Sequence, residues 1–176
     1  MNLPNLITLA RLVAVPVVAV LIVSDAWFAA FALFVAAGVS DAVDGYIAKR
    51  FDMRSELGAY LDPLADKALL VTIFCALAAA SVVPVWLAIL VVFRDVMIVA
   101  AVVLGQLLDR PLEIAPLLIS KINTAVQICF AALILGTRAF GVDAGVLATA
   151  GVFAVAALTL GSAAAYLAGW LRHMTP

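Results

Sequence analysis

Charge is scarce in this chain. Only 12% of its 176 residues are Asp, Glu, Lys or Arg, and the formal net charge is −1. Without a basic surplus there is no surface to follow a phosphate backbone, which excludes nucleic acid as a partner. Histidine occurs once, as His173 near the C-terminus, where it reads as solvated. The two cysteines, Cys75 and Cys129, lie inside apolar runs and behave there as small hydrophobes. Neither belongs to a disulfide framework or a metal-binding pair.

What is abundant is apolar surface. Hydrophobic residues make up 68% of the sequence, and runs of about 18 or more read as membrane spans. Short polar breaks divide the chain. They are Ser24-Asp25-Ala26, a polar connector over Lys49–Glu56, Ser81–Pro84, Leu108–Leu118 and Gly136–Gly145. The reading is an all-α integral membrane protein of six transmembrane helices forming a single domain over residues 1–176. The first run has neither a basic leader nor a small-residue cleavage site, so it is expected to be a retained helix rather than a signal peptide. Gly161, Ala165 and Gly169 make a small-residue stripe in the last run, suited to internal packing or to a homodimer seam.

The exception to the oily composition is D-A-V-D-G-Y-I-A-K-R-F-D-M-R-S-E-L-G-A-Y-L-D-P-L-A-D, from Asp41 to Asp66. Asp41 and Asp44, like Asp62 and Asp66, are spaced to share one helix face. With a turn near Asp52 and two helical arms, Asp44 and Asp62 stand at similar depth, roughly 13 Å from the turn. This predicts a helical hairpin holding four carboxylates. Such groups repel one another unless cations neutralise them. Their hard oxygen ligands suit magnesium, calcium or manganese. Gly45 and Gly58 lie on the same faces and expose backbone to a ligand or a neighbouring helix. Metal, small walls and nearby basic residues favour phosphate chemistry. The bland alternative is a set of solvated charges at helix ends.

Asp41-x-x-Asp44-Gly45-x-x-Ala48-Lys49-x8-Gly58-x-x-x-Asp62-x-x-x-Asp66 closely resembles the signature of the CDP-alcohol phosphotransferases. These membrane enzymes join an alcohol to the phosphatidyl group of CDP-diacylglycerol, or a phospho-base to diacylglycerol, and release CMP. The resemblance implies that Asp41, Asp44, Asp62 and Asp66 hold one or two divalent ions, Mg2+ or Mn2+, on the diphosphate. It implies that Asp66 is the general base, and that Gly45, Ala48, Lys49 and Gly58 lie against the nucleotide. Lys49 departs from the family's usual Arg, which keeps the charge and loses a bidentate fork. N-L-P-N-L-I-T-L-A-R near the N-terminus resembles the family segment beside the nucleotide, which adds Asn5 and Thr8. Arg11 in that segment either snorkels to the interface or reaches the diphosphate.

Two further polar stretches fall inside apolar runs. Arg94-Asp95 is either a pair tying helices together, or a cation facing a lipid phosphate. Lys121, Thr124 and Gln127 recur at three-residue steps on a face too polar for lipid, which makes Lys121 a second candidate for anion binding. R-D-V-M-I-V-A-A-V-V and I-S-K-I-N-T-A-V-Q resemble the cardiolipin synthase branch of the family, whose acceptor is phosphatidylglycerol. The alternative is the sister branch that uses glycerol 3-phosphate and typically carries R-E where this chain has Arg94-Asp95. A transporter is the reading from another class. It is disfavoured by the absence of an internal repeat and by carboxylates placed near one surface.

Orientation follows independently of the resemblance. Lys49, Arg50, Arg54, Arg110, Lys121 and Arg172 fall at breaks or ends on one side and only Arg138 on the other. The positive-inside rule then puts the Asp hairpin on the cytoplasmic face. The short N-terminus, with no transit peptide, points to a bacterial inner membrane.

Overall fold

A computed structural model describes the backbone of residues 3–50, 56–107 and 118–174, and the side chains within residues 9–43, 65–101 and 118–171. The described chain is entirely helical: α1 Leu3–Val23, α2 Trp27–Arg50, α3 Glu56–Ala79, α4 Val85–Leu107, α5 Leu118–Ala139 and α6 Gly145–Met174. Each apolar run expected from the sequence is one helix. Two of them, Leu118–Ala139 and Gly145–Leu171, are long and apolar enough to cross a membrane by length and composition alone. In α1 and α2 the apolar part is shorter, Leu9–Val23 and Trp27–Val43.

The described turns at one end of the bundle share a single device. Asp25, Ser81 and Gly141 adopt φ of 58°, 57° and 65° after α1, α3 and α5. In each case the next residue reaches back five positions. Ala26 N–H donates to the Leu21 carbonyl, Val82 to Leu77 and Val142 to Thr137, all at 2.9 Å. This left-handed cap satisfies carbonyls that the helix end would otherwise orphan. It also reverses the chain within a few residues, so successive helices run antiparallel.

One boundary differs from expectation. Gly136 was expected to begin a loop, yet α5 continues through it to Ala139. Two contacts explain this. A Cβ at Gly136 would lie 3.3 Å from the Phe31 ring, so α2 packs closely over that position. The Thr137 hydroxyl donates to the carbonyls of Leu133 and Ile134, which keeps the turn helical.

The core is apolar in the middle and polar at one end. Val18 and Ile22 of α1, Ile73, Phe74 and Leu77 of α3, Leu87 and Val91 of α4, Phe130 and Leu135 of α5, and Val155 of α6 are buried together. Phe74 stacks on Phe130 at 6.1 Å. Large apolar side chains also cover the outside, among them Val13, Phe28, Ile89, Phe93, Val96 and Phe153, while Arg11, Arg94, Asn123, Gln127, Thr159 and Ser162 are buried. Polar groups inside and hydrocarbon outside is the distribution expected of a bundle whose solvent is lipid.

The turn of the expected hairpin, and the side chains of residues 44–64 that would face across it, lie outside the described residues. Among the described residues, α1 and α5 each pack against both α2 and α3, whereas α2 and α3 show no packing against each other.

Candidate active site

A cavity of about 530 Å³ opens between the helices, lined by Arg11 of α1, Asp41 of α2, Asp66 and Lys67 of α3, Asp95 of α4, and Thr124 and Gln127 of α5. Phe34, Ala37, Gly38, Leu69, Leu70 and Ile128 complete the apolar part of its wall. Charge gathered at one part of a mostly hydrocarbon wall suits a ligand that is itself part ionic and part lipid.

Arg11 organises the charged part. Its Nη1 lies 2.8 Å from Asp41 Oδ1 and 2.7 Å from Asp66 Oδ1, so one donor bridges carboxylates from α2 and α3. The arginine is 3% exposed, whereas the two carboxylates are about half-exposed, at 45% and 48%. Arg11 therefore neither snorkels nor stands apart. It is the cation between the acidic residues, a role that reading α1 alone could not supply.

The donor set was tested for a divalent ion on this geometry. Among the described residues no group of three or more carboxylates, cysteines or histidines converges. Asp41 and Asp66 do converge, however, and already share one cation in the Arg11 guanidinium. Two hard oxygen ligands drawn to one positive centre have the chemistry that a magnesium or manganese site needs. The side chains of Asp44 and Asp62 lie outside the described residues; their backbones are on α2 and α3 with the other pair. The same holds for Gly45, Ala48, Lys49 and Gly58, and for Asn5 and Thr8 on α1.

Of the expected anion-binding residues, neither Arg94 nor Lys121 lines the cavity. Arg94 is 2% exposed and committed to neighbours. Its Nε and Nη2 donate to Ser162 Oγ at 3.2 and 2.8 Å, Nη2 also donates to Ser120 Oγ, and Nη1 donates to Asp95 Oδ1. The Tyr166 ring lies over the guanidinium at 5.8 Å. A single side chain thus ties α4 to α5 and α6. Lys121 is exposed, one turn before Thr124. Lys67 is the lysine that lines the cavity.

The polar face of α5 was legible as an inward face, and Thr124 and Gln127 do line the cavity. Asn123 was not foreseen. It is fully buried beside that face and joined to Gln127 through Thr159 of α6. The available signal was an amide in the middle of a lipid-embedded helix, which is costly unless satisfied.

The described helices thus form an all-α bundle with two carboxylates and a buried arginine gathered in one cavity. The family model for CDP-alcohol phosphatidyltransferases matches residues 1–167, and the chain belongs to that family. It is 36% identical over 180 residues to the cardiolipin synthase (CMP-forming)/mitochondrial hydrolase fusion protein of Schizosaccharomyces pombe, covering 94% of this chain and 30% of that one. It is 36% identical over 155 residues to the cardiolipin synthase (CMP-forming) of Homo sapiens, covering 79% and 52%. A CDP-diacylglycerol–glycerol-3-phosphate 3-phosphatidyltransferase of Oryza sativa is 33% identical over 161 residues, covering 81% and 49%. The chain thus spans about half or less of the length of these relatives.

Proposed function

We propose that the chain transfers the phosphatidyl group of CDP-diacylglycerol to a hydroxyl of phosphatidylglycerol, forming cardiolipin and CMP. The observation that carries the transfer is the convergence of Asp41 and Asp66 on one cation in a cavity whose wall is otherwise mostly apolar. The choice of acceptor rests on the resemblance of the Arg94–Val103 and Ile119–Gln127 stretches and on the names of the relatives matched over most of this chain. The rice relative, matched as broadly, supports a second reading in which glycerol 3-phosphate is the acceptor.

The step requires one bond made and one broken. The acceptor hydroxyl oxygen attacks the phosphatidyl phosphorus, the bond from that phosphorus to the CMP oxygen breaks, and CMP departs with the electron pair. The hydroxyl proton passes to Asp66, which lines the cavity half-exposed. Asp41, Asp44, Asp62 and Asp66 would hold the magnesium or manganese, which supplies charge neutralisation at the phosphoryl oxygens when bound. Lys67 lines the same space and attracts the diphosphate. Lys121, exposed one turn before Thr124, is assigned in this reading to an acceptor phosphate outside the cavity. Arg94 serves instead by fixing Asp95 and Ser120.

The carboxylate end faces the cytoplasm in this proposal, because the basic residues concentrate at that end of the helices. The small-residue stripe of α6 is divided in use. A Cβ at Gly161 would lie 3.2 Å from Ile119, so that position packs internally, while Gly169 faces open space and remains available to a second copy in a homodimer.

The test is CMP release from CDP-diacylglycerol by purified protein with magnesium or manganese, using phosphatidylglycerol or glycerol 3-phosphate as sole acceptor. Release with phosphatidylglycerol alone is expected. Asp66→Asn is expected to lower kcat at least about a hundredfold while retaining CDP-diacylglycerol binding. Turnover of that variant near the wild-type rate sinks the assignment of the base.

A further inference from the structure

The cavity wall contributed by α4 and α5 carries chemistry that the phosphoryl transfer above does not use. Three polar side chains line it: Asp95, Thr124 and Gln127. Each has its hydrogen-bonding role set by a partner behind the wall. Asp95 Oδ1 accepts from Arg94. The Thr124 hydroxyl donates to the Ser120 carbonyl at 3.2 Å, so its oxygen meets the cavity as an acceptor.

Gln127 is the most constrained. Its Nε2 donates to Thr159 Oγ1 at 3.2 Å, and the Thr159 hydroxyl in turn donates to Asn123 Oδ1 at 3.0 Å. The chain has a direction. Thr159 spends its only proton on Asn123, so its lone pair takes the amide N–H of Gln127. The Gln127 amide is held with nitrogen toward α6, and among the described residues no group donates to its carbonyl oxygen. The residue is 1% exposed, and the space it meets is the cavity. Burying such an amide in a bundle is costly unless every group finds a partner. Asn123, Gln127 and Thr159 are all fully or almost fully buried, and the Asn123 Nδ2 has no hydrogen-bond partner among the described residues, so the network is kept at a cost that its own bonds do not fully meet.

We propose that Asp95, Thr124 and Gln127 form a subsite for the non-reacting hydroxyl of the acceptor alcohol, with Gln127 the specificity-determining residue and Thr159 and Asn123 positioning it. Three oxygen acceptors repel phosphate and favour a donor. A glycerol headgroup brings one: when its terminal hydroxyl attacks phosphorus, its secondary hydroxyl is left to be recognised. The subsite would thus select a vicinal diol over a simple alcohol. This assignment rests on the function proposed above, in which the acceptor carries a glycerol unit. The ribose of the nucleotide also offers hydroxyls. The acceptor is preferred because the wall belongs to α4 and α5, whereas the signature residues lie on α2 and α3.

The experiment compares acceptors that differ by one hydroxyl. Phosphatidylglycerol is set against its propane-1,3-diol counterpart, and glycerol 3-phosphate against 3-hydroxypropyl phosphate, with CDP-diacylglycerol and magnesium throughout. For the pair that supports CMP release, wild-type protein is expected to favour the glycerol acceptor about tenfold or more in kcat/KM, the effect of one buried hydrogen bond. In Gln127→Met that ratio is expected to fall towards unity through a raised acceptor KM, with KM for CDP-diacylglycerol unchanged. Thr124→Val should lower the ratio in the same direction, and Thr159→Val should lower it less than Gln127→Met. Equal use of both acceptors by the wild type overturns the subsite, and this outcome requires no variant to fold. An undiminished ratio in both Gln127→Met and Thr124→Val also overturns it. A rise in KM for CDP-diacylglycerol in place of the acceptor KM assigns the wall to the nucleotide. Absence of CMP release with either glycerol acceptor overturns the underlying function, a result distinct from turnover without discrimination.

Discussion

Arg11 makes its contribution by position more than by type. An arginine in an apolar helix is expensive unless partnered, and here its partners are two carboxylates that mutual repulsion would otherwise drive apart. Arg11→Met leaves Asp41 and Asp66 facing each other without their shared cation. The expected outcome is a lower melting temperature in detergent with chelator present, from the loss of the cation that both carboxylates share. Because those carboxylates are half-exposed, the loss should be nearer about 1 kcal/mol than the cost of breaking a fully buried pair. Saturating magnesium should recover part of it, since a ligand bound only to the folded state stabilises by mass action. Scanning calorimetry with and without metal measures both. Equal melting temperatures in chelator would show that Arg11 does not hold the pair together. Arg94 makes a parallel case without the metal. Arg94→Met alone strands Asp95 and two serines, so it should destabilise more than the double variant Arg94→Met/Asp95→Leu. Denaturant melts of the single and double variants give the comparison. At this scale the sequence announced that these residues matter, because charge inside a lipid-facing run is rare. It could not announce whom they would meet, since Arg11 finds its partner 55 positions away and Arg94 finds one 68 away.

Helix identity was legible and helix neighbourhood was not. Among the described residues, the polar breaks at Ser24–Ala26, Ser81–Pro84 and the end of Gly136–Gly145 are turns, because a lipid-embedded backbone must satisfy its own hydrogen bonds and reverses most easily where water is available. The end of α5 escaped because Gly136 reads locally as a breaker, and only the Phe31 ring from α2 explains why a helical glycine belongs there. The packing of α1 and α5 against both α2 and α3, seen among the described residues, could not be read from the sequence for the same reason. Matched spacing of Asp41, Asp44, Asp62 and Asp66 foretold two facing arms, but not which helices would pack against them. Close packing of this kind has measurable consequences at Gly151. A Cβ there would approach Phe130 Cδ2 to 2.4 Å, and Phe130 is itself stacked on Phe74. Gly151→Ala is expected to cost about 1–3 kcal/mol through displacement of that ring. Gly169→Ala, on the same helix with nothing within 4 Å of its Cβ, should be neutral or stabilising by up to about 1 kcal/mol in the monomer. Denaturant melts of both variants decide the matter, and equal effects would mean that Phe130 yields without cost.

For the whole molecule, the decisive asymmetry is between the two ends of the bundle. One end is closed by three tight left-handed caps at Asp25, Ser81 and Gly141. The other receives the signature carboxylates and most of the basic residues. Trp27 carries Arg138 over its ring at 5.7 Å at the capped end, and Phe140 packs edge-on against Phe28 and Phe31 beside it. That aromatic cluster fits a membrane–water interface, and its lone cation is the exception to the charge bias. If the six helices span in alternation, Ser24 and Asp143 share one face of the membrane, and Asp109, between α4 and α5, lies on the other. In a Cys75→Ala/Cys129→Ala background, Ser24→Cys and Asp143→Cys should react with a membrane-impermeant maleimide from one side of sealed vesicles. Asp109→Cys should react only from the opposite side. Labelling of Ser24→Cys and Asp109→Cys from the same side would break the alternation between them, and with it the placement of the carboxylates on the cytoplasmic face. The outcome bears on chemistry as well as topology, because under the proposed function the side that Asp109 shares is the side from which a CDP-lipid headgroup and a hydrated divalent ion would enter.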